Sequence, residues 1–226
     1  MKLTFLAASA LALLGTGAQA QLVLTEPVDF SGTGLGSVNT ILTIQSPGSS
    51  TSETGAVSWN GSMDVIVGDA KTGGSQTQTR TFAELGVTSA SDLRVVFNAL
   101  EPGNALNSID LSSLTLSVYN STGATVFSAS TPQSYSFADT FTGTGNSGFV
   151  FELTDASAAQ LQSVFSADLR VGLFATAANA TGGFETFFVG NVASPVTPVP
   201  EPETYALMLA GLGVVGFMAR RRKRQA

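Results

Sequence analysis

The sequence predicts a mainly β protein: a single β-sandwich or jelly-roll-like domain with one short helix, an N-terminal signal peptide and a C-terminal transmembrane helix. Three observations carry the β assignment. Short runs rich in Val, Ile, Thr and Phe recur along the chain, separated by Gly, Asn, Ser and Pro turn signals. Only one stretch has apolar residues at helical spacing. Cysteine is absent and phenylalanine abundant, with 15 residues, so two sheets must be held together by apolar burial.

The elements follow in order. Lys2, the apolar run Leu3 to Leu14 and the small-x-small ending Ala18-Gln19-Ala20 form a signal peptide over residues 1–20, with cleavage expected after Ala20. Gln21 to Thr25 and the Gly-rich Ser31 to Gly36 read as an irregular lead-in. Val38 to Gln45 reads as a strand. Gly55 to Trp59 and Met63 to Val67 read as a hairpin across Asn60-Gly61, a dipeptide suited to a type I′ turn. Gln76 to Phe82 reads as an exposed edge strand, Phe82 to Gly86 as one helical turn, and Asp92 to Ala99 as a buried strand.

Leu114 to Tyr119 is the clearest strand, because Leu114, Leu116 and Val118 share one face. Asn120 to Gly123 turns it into Ala124 to Ala129, with Val126 and Phe127 assigned to the core. Phe149 to Leu153 is a further strand. Thr154-Asp155 caps a helix whose apolar face is Ala158, Leu161, Val164 and Phe165. Leu169 to Ala175 and Phe184 to Val189 complete a secreted domain over residues 21–192, and a Pro-rich linker follows over 193–198. Ser91 to Phe97 and Ala167 to Leu173 share Asp-Leu-Arg-Val, which reads as common strand-entry chemistry or a duplicated half.

Charge narrows the function classes. The net charge of −6 hides an asymmetry: between Gln21 and Pro198, 14 acidic residues face only Lys71, Arg80, Arg94 and Arg170, a balance of −10. Such a body has no footprint for a phosphate backbone, which argues against nucleic acid as a partner. Without Cys or His there is no thiolate chemistry and no Ser-His-Asp triad, and zinc or copper sites are disfavoured. No cofactor and no catalytic motif is expected, and the chain is read as not an enzyme.

The last residues reverse the charge. The motif Val199-Pro200-Glu201-Pro202 precedes an uncharged run, read as a transmembrane helix over 204–219, and then Arg220, Arg221, Arg222, Lys223 and Arg224. The 15 residues from Tyr205 to Ala219 would make a helix of about 22 Å against a hydrocarbon core of about 30 Å, a gap that snorkelling arginines and local thinning can close. The basic cluster is a stop-transfer signal that stays cytoplasmic.

Signal peptide, secreted body, Val-Pro-Glu-Pro, short apolar helix and Arg-rich end together resemble the PEP-CTERM proteins of Gram-negative bacteria, over residues 199–224. The resemblance implies recognition by an exosortase, cleavage near the motif and delivery from an inner-membrane intermediate to the cell surface or extracellular matrix. The Sec translocon and signal peptidase would act first. In that family such proteins accompany exopolysaccharide and biofilm formation. Phe137-x-Asp139-x-Phe141 also fits an FxDxF-type pattern described in PEP-CTERM proteins, and Gly143 to Gly148 and Phe184 to Phe188 resemble their secreted domains.

Within the body the candidate chemistry is sparse. Asp92, Glu101 and Asp110 lie close in sequence, as a glycosidase pair would, but solvated surface carboxylates explain them better. Asp139 and Asn146 flank a glycine loop with oxygen ligands suited to Ca²⁺, although no D-x-D-x-D-G loop exists. Asn60, Asn120 and Asn179 open N-x-Ser/Thr sequons, read as chance matches in a Ser/Thr-rich chain. Trp59, Tyr119 and Tyr135 are the candidates for a sugar-stacking face. The expectation is a structural or adhesive surface protein associated with exopolysaccharide, with a carbohydrate-binding module as the alternative and a carboxylate glycosidase behind it.

Overall fold

A computed structural model describes residues 19–25, 39–45, 50–73, 76–100, 108–138, 148–180 and 183–191. The chain divides into two compact units, Met1–Val192 and Ala193–Ala226, and every described residue lies in the first. That unit is mainly β. Its strands are β1 Ala20–Leu24, β2 Thr40–Ile44, β3 Ser52–Trp59, β4 Asp64–Gly68, β5 Arg80–Thr81, β6 Leu93–Leu100, β7 Ser108–Tyr119, β8 Thr125–Ser130, β9 Tyr135–Ala138, β10 Phe149–Leu153, β11 Arg170–Ala178 and β12 Phe184–Asn191. The helices are α1 Phe82–Leu85 and α2 Asp155–Gln162, and a 3₁₀ turn spans Ala90–Asp92. Among the described residues no helix is long and apolar enough to cross a membrane, and the expected span at 204–219 lies outside them.

Two ladders share β1. One runs β2-β12-β6-β10-β1 and the other β1-β8-β7-β11-β3-β4, with β9 on β7 and β5 on β11. Leu22 to Leu24 pair antiparallel with β10, whereas Ala20 and Gln21 pair parallel with β8. The segment read as an irregular lead-in is therefore the strand that joins the sheets. It looked irregular because only Leu22, among its inward positions, is a large buried side chain.

Phenylalanines fill the space between the sheets. Phe97 of β6 stacks on Phe187 of β12 at 4.8 Å and meets Phe137 of β9, from the opposite sheet, at 5.6 Å. Phe137 in turn stacks on Phe149 at 3.8 Å, and Tyr135 meets Phe151 edge-on at 5.5 Å. At the other side of the core Gly55 of β3 lies against β2: a Cβ there would sit 2.5 Å from the Ile44 side chain. The inner face of β7 (Ile109, Leu111, Leu114, Leu116, Val118) is buried throughout.

Several local readings are corrected. Gln76 to Phe82 is no exposed edge strand. Only Arg80–Thr81 is extended in a ladder, Thr77 and Thr79 are buried, and the segment covers β2 through Gln78 N–H donating to Ile41 O at 3.0 Å and Thr43 N–H donating to Thr77 Oγ1 at 3.2 Å. Thr alternation signalled a strand face, but the hydroxyls serve as hydrogen-bonding caps instead. The β3–β4 turn is also different. Gly61 alone takes positive φ, at 98°, and Asn60 N–H donates to Met63 O at 3.2 Å. With Gly61 and Ser62 central, this follows the type II′ pattern rather than I′. Val126 and Val164 are exposed rather than core, while Phe127 and Leu161 are buried.

Helix α1 is a single turn, as its sequence predicts. Thr81 N–H donates to Glu84 Oε2 at 2.7 Å and Glu84 N–H donates to Thr81 Oγ1 at 3.1 Å, a reciprocal capping box. That backbone N–H is the main reason the Glu84 pKa lies below its ordinary value. Burial opposes it, and the Thr81 hydroxyl, Arg170 and Arg80 add to it.

Candidate functional site

The outward surface of β8-β7-β11-β3-β4 is the functional candidate that register builds among the described residues. Strand alternation turns Thr54, Ala56 and Ser58 of β3 and Phe174 and Thr176 of β11 away from the core. Register then aligns them. One row runs Ser130, Thr115, Phe174, Ala56 and Val67 across the five strands. Hydroxyls pair across strands, Thr115 Oγ1 with Ser130 Oγ at 2.9 Å and Thr54 Oγ1 with Thr176 Oγ1 at 3.3 Å. None of these residues is charged, although the body as a whole carries −10; Arg170 and Asp110 stand at the two ends of the same face. The middle of the face offers donors, acceptors and small apolar areas.

One end of this face is fixed by a polar knot. Arg170 Nη1 donates to Thr79 O at 3.0 Å and to Thr79 Oγ1 at 3.1 Å, and its guanidinium lies 4.5 Å from the Trp59 ring centroid. The Thr79 hydroxyl donates to Asp64 Oδ1 and its N–H to Asp64 Oδ2 at 3.2 Å. Trp59 is thus occupied by an internal cation rather than presented for sugar stacking. Tyr135 packs into the core against Phe137 and Phe151, so the three aromatics do not form one stacking face. Tyr119 faces outward beside Gly172, where a Cβ would lie 3.0 Å from its ring.

Asp92 and Asp110 do not assemble into a pair. Asp110 lies near the start of β7 and accepts from Asn179 Nδ2 at 2.6 Å, at the end of the sandwich where β11 leads to β12. Asp92 lies at the opposite end, before Leu93, which pairs with the last residue of β12. Glu101, Asp139 and Asn146 are outside the described residues. Among the described residues no group of three acidic side chains is placed to hold a metal ion. Two acids the sequence reading left on the surface, Glu53 and Glu185, are buried. Their signal was parity: Glu53 alternates with Gly55 and Val57, and Glu185 with Phe187 and Val189, all inward positions.

The sequon asparagines act in turns. Asn60 Oδ1 accepts from the N–H groups of Ser62 and Met63, both at 2.9 Å, and Asn120 Oδ1 from those of Thr122 and Ala124, both at 3.0 Å. All four body cations are also committed. Lys71 donates to Gln45 Oε1 at 2.9 Å, Arg80 to Thr40 O at 3.3 Å, and Arg94 bridges Glu152 at 3.0 Å, besides Arg170 above.

At the expected processing point, Ala20 is buried at the start of β1 and faces Ala129. Gln21 N–H donates to Ser157 Oγ at 2.8 Å beside a groove of about 400 Å³ formed with Gln19, Thr154 and Gln160. Ala18 lies outside the described residues, as do Val199, Pro200, Glu201, Pro202 and the basic run Arg220, Arg221, Arg222, Lys223 and Arg224.

Comparison with protein families decides the nature of that terminal segment. Residues 198–223 match the PEP-CTERM protein-sorting motif. The chain carries a PEP-CTERM sorting signal. The motif implies an exported surface or extracellular protein with an exosortase as its processing partner. No curated protein and no solved structure matches the chain. The PEP-CTERM match leaves the β domain's own role to its surface.

Proposed function

We propose that this chain is a non-enzymatic surface or matrix protein, structural or adhesive, that associates with exopolysaccharide in a biofilm setting. The observation that carries the reading is the PEP-CTERM motif at 198–223 joined to an acidic domain with a hydroxyl-rich face whose middle rows are uncharged. In this reading the Sec translocon exports the chain and signal peptidase cuts after Ala20. The apolar run over 204–219 holds an inner-membrane intermediate until exosortase acts. The hydroxyl-rich face of β8-β7-β11-β3-β4 then meets a polymer through hydrogen bonds and small apolar contacts. The four internally committed cations leave weak multivalent contact as the mode of association, rather than ion pairing with an anionic polymer.

A carbohydrate-binding module is the second reading, and the exposed Phe174 in the middle of that face is the observation favouring it. Mass spectrometry of the mature chain from cells with and without exosortase tests the sorting step. Removal of the segment after the motif only in exosortase-positive cells is expected; an intact C-terminus in both refutes it. Co-sedimentation with polysaccharides and a glycan array separate the two roles. Broad, weak binding supports the matrix role. Sharp selection of one glycan, lost in Phe174→Asp, supports the binding module.

A further inference from the structure

The two terminal strands of the sheet path are treated differently. The outer edge of β2 is covered by the chain itself: Lys71 N–H donates to Thr43 O at 2.9 Å and Gln78 N–H to Ile41 O at 3.0 Å. Among the described residues no backbone covers the outer edge of β4 in this way. The β3–β4 ladder opposes Ser58 to Val65 and Ala56 to Val67. Flanking it in the same alternation, Asn60 N–H donates to Met63 O and Asp69 N–H to Thr54 O. Val65 and Val67 are thus the residues bonded to β3, Asp64 and Ile66 turn their N–H and C=O groups outward, and Gly68, at φ 69°, ends the extended run. No hydrogen bond from another described residue's backbone reaches those outward groups.

Exposed edges are ordinarily blunted by Lys, Pro, a bulge or brevity. β4 reads Asp-Val-Ile-Val-Gly, without Lys, Pro or any register shift against β3. Its valines are exposed, Val65 at 36% and Val67 at 53%, and Met63 beside them at 62%.

We propose that β4 is a self-association edge, and that its partner is a second copy of this chain paired antiparallel about a two-fold axis through Ile66. The strand is self-complementary under that operation. Ile66 of each copy exchanges N–H and C=O with Ile66 of the other. Asp64 falls opposite Gly68 of the second copy, so no two carboxylates face each other despite the acidic body. Val65 of one copy lies beside Val67 of the other, and the two pairs form an apolar patch on the outward face. The two hydroxyl-rich faces then join into one continuous sheet surface, which doubles the area available for multivalent contact. This pairing stands independently of what that face binds.

The test uses the protein expressed from the full chain in cells lacking the exosortase and recovered from the cell envelope in mild detergent. Light scattering is expected to give a dimer, and Val65→Lys with Val67→Lys to halve the mass while the far-UV circular dichroism of the folded domain stays unchanged, because both side chains are exposed in the monomer; the wild-type thermal midpoint rises with protein concentration and that of the variant does not. The chain has no cysteine. A Val65→Cys, Val67→Cys variant is therefore expected, on mild oxidation, to give a covalent dimer whose only linked peptides join position 65 of one copy to position 67 of the other. A monomeric wild-type chain, a dimer that survives the lysine pair, or cross-links absent or in another register would each overturn the proposal.

Discussion

Gly123 turns the β7–β8 hairpin at φ 84°, and its α-carbon abuts the backbone of Asn60 and Gly61 at the tip of the β3–β4 hairpin. Gly61, at φ 98°, faces Thr122 O in return, 2.6 Å from where a Cβ would stand. Two hairpins 60 residues apart in sequence thus touch tip to tip, and each asparagine side chain closes its own turn. Both the positive φ and the close approach require glycine. Gly123→Ala is expected to destabilise the domain by about 1–3 kcal/mol through backbone strain, plus the displacement of the neighbouring tip. Urea unfolding measures it, and a loss under half a kcal/mol would mean the tips are not in contact. The turn residues were legible in the sequence. Their contact was not, because nothing local records which hairpins will be neighbours.

At the scale of elements, the strands with strict alternation were found where they stand. Phe149–Leu153 has the predicted bounds, and Leu114 to Tyr119 is the C-terminal half of a longer β7. The misses have a common physical cause. β1 and the segment from Gln76 to Thr79 are fixed by partners distant in sequence, so their local pattern says little. The candidate site suffered likewise: alternation marks Phe174 as outward, but only register places it in line with Thr115, Ala56 and Val67. Helix α1 was read as a single turn; its capping box, Thr81 and Glu84 three apart, emerges only in the structure. Its electrostatics give a pH signature. The folded Glu84 pKa lies below an unfolded value of about 4.3. Its stabilising contribution is therefore complete above that value and is lost as pH falls through the folded one. Glu84→Gln keeps an acceptor for the Thr81 N–H but not the charge. The wild-type advantage in thermal midpoint over this variant should be present at neutral pH and shrink to nothing in acid. Because the side chain is largely solvated the difference will be small, and an advantage that grew on acidification would contradict the assignment.

For the molecule as a whole, charge is partitioned along the chain. The domain between Gln21 and Pro198 carries −10 with every cation committed internally, and five positive charges stand together after the apolar run. If that run is threaded into a membrane with the domain outside, moving the basic cluster across costs about 2.3 kcal/mol per charge for each 100 mV of potential. The cluster also obeys the positive-inside bias. Five charges together make a barrier that a short apolar run containing Gly211, Gly213 and Gly216 would not provide by itself. Replacing Arg220, Arg221, Arg222, Lys223 and Arg224 by Gln should therefore release the chain from the membrane before the sorting enzyme engages it. The expected outcome is soluble exported protein with an uncut C-terminus, read by mass spectrometry of the soluble and membrane fractions. The domain itself should fold unchanged, because none of the five residues belongs to the compact unit ending at Val192. Normal membrane retention and normal cleavage in the variant would show that the apolar run alone holds the intermediate, and that the basic end serves some other step.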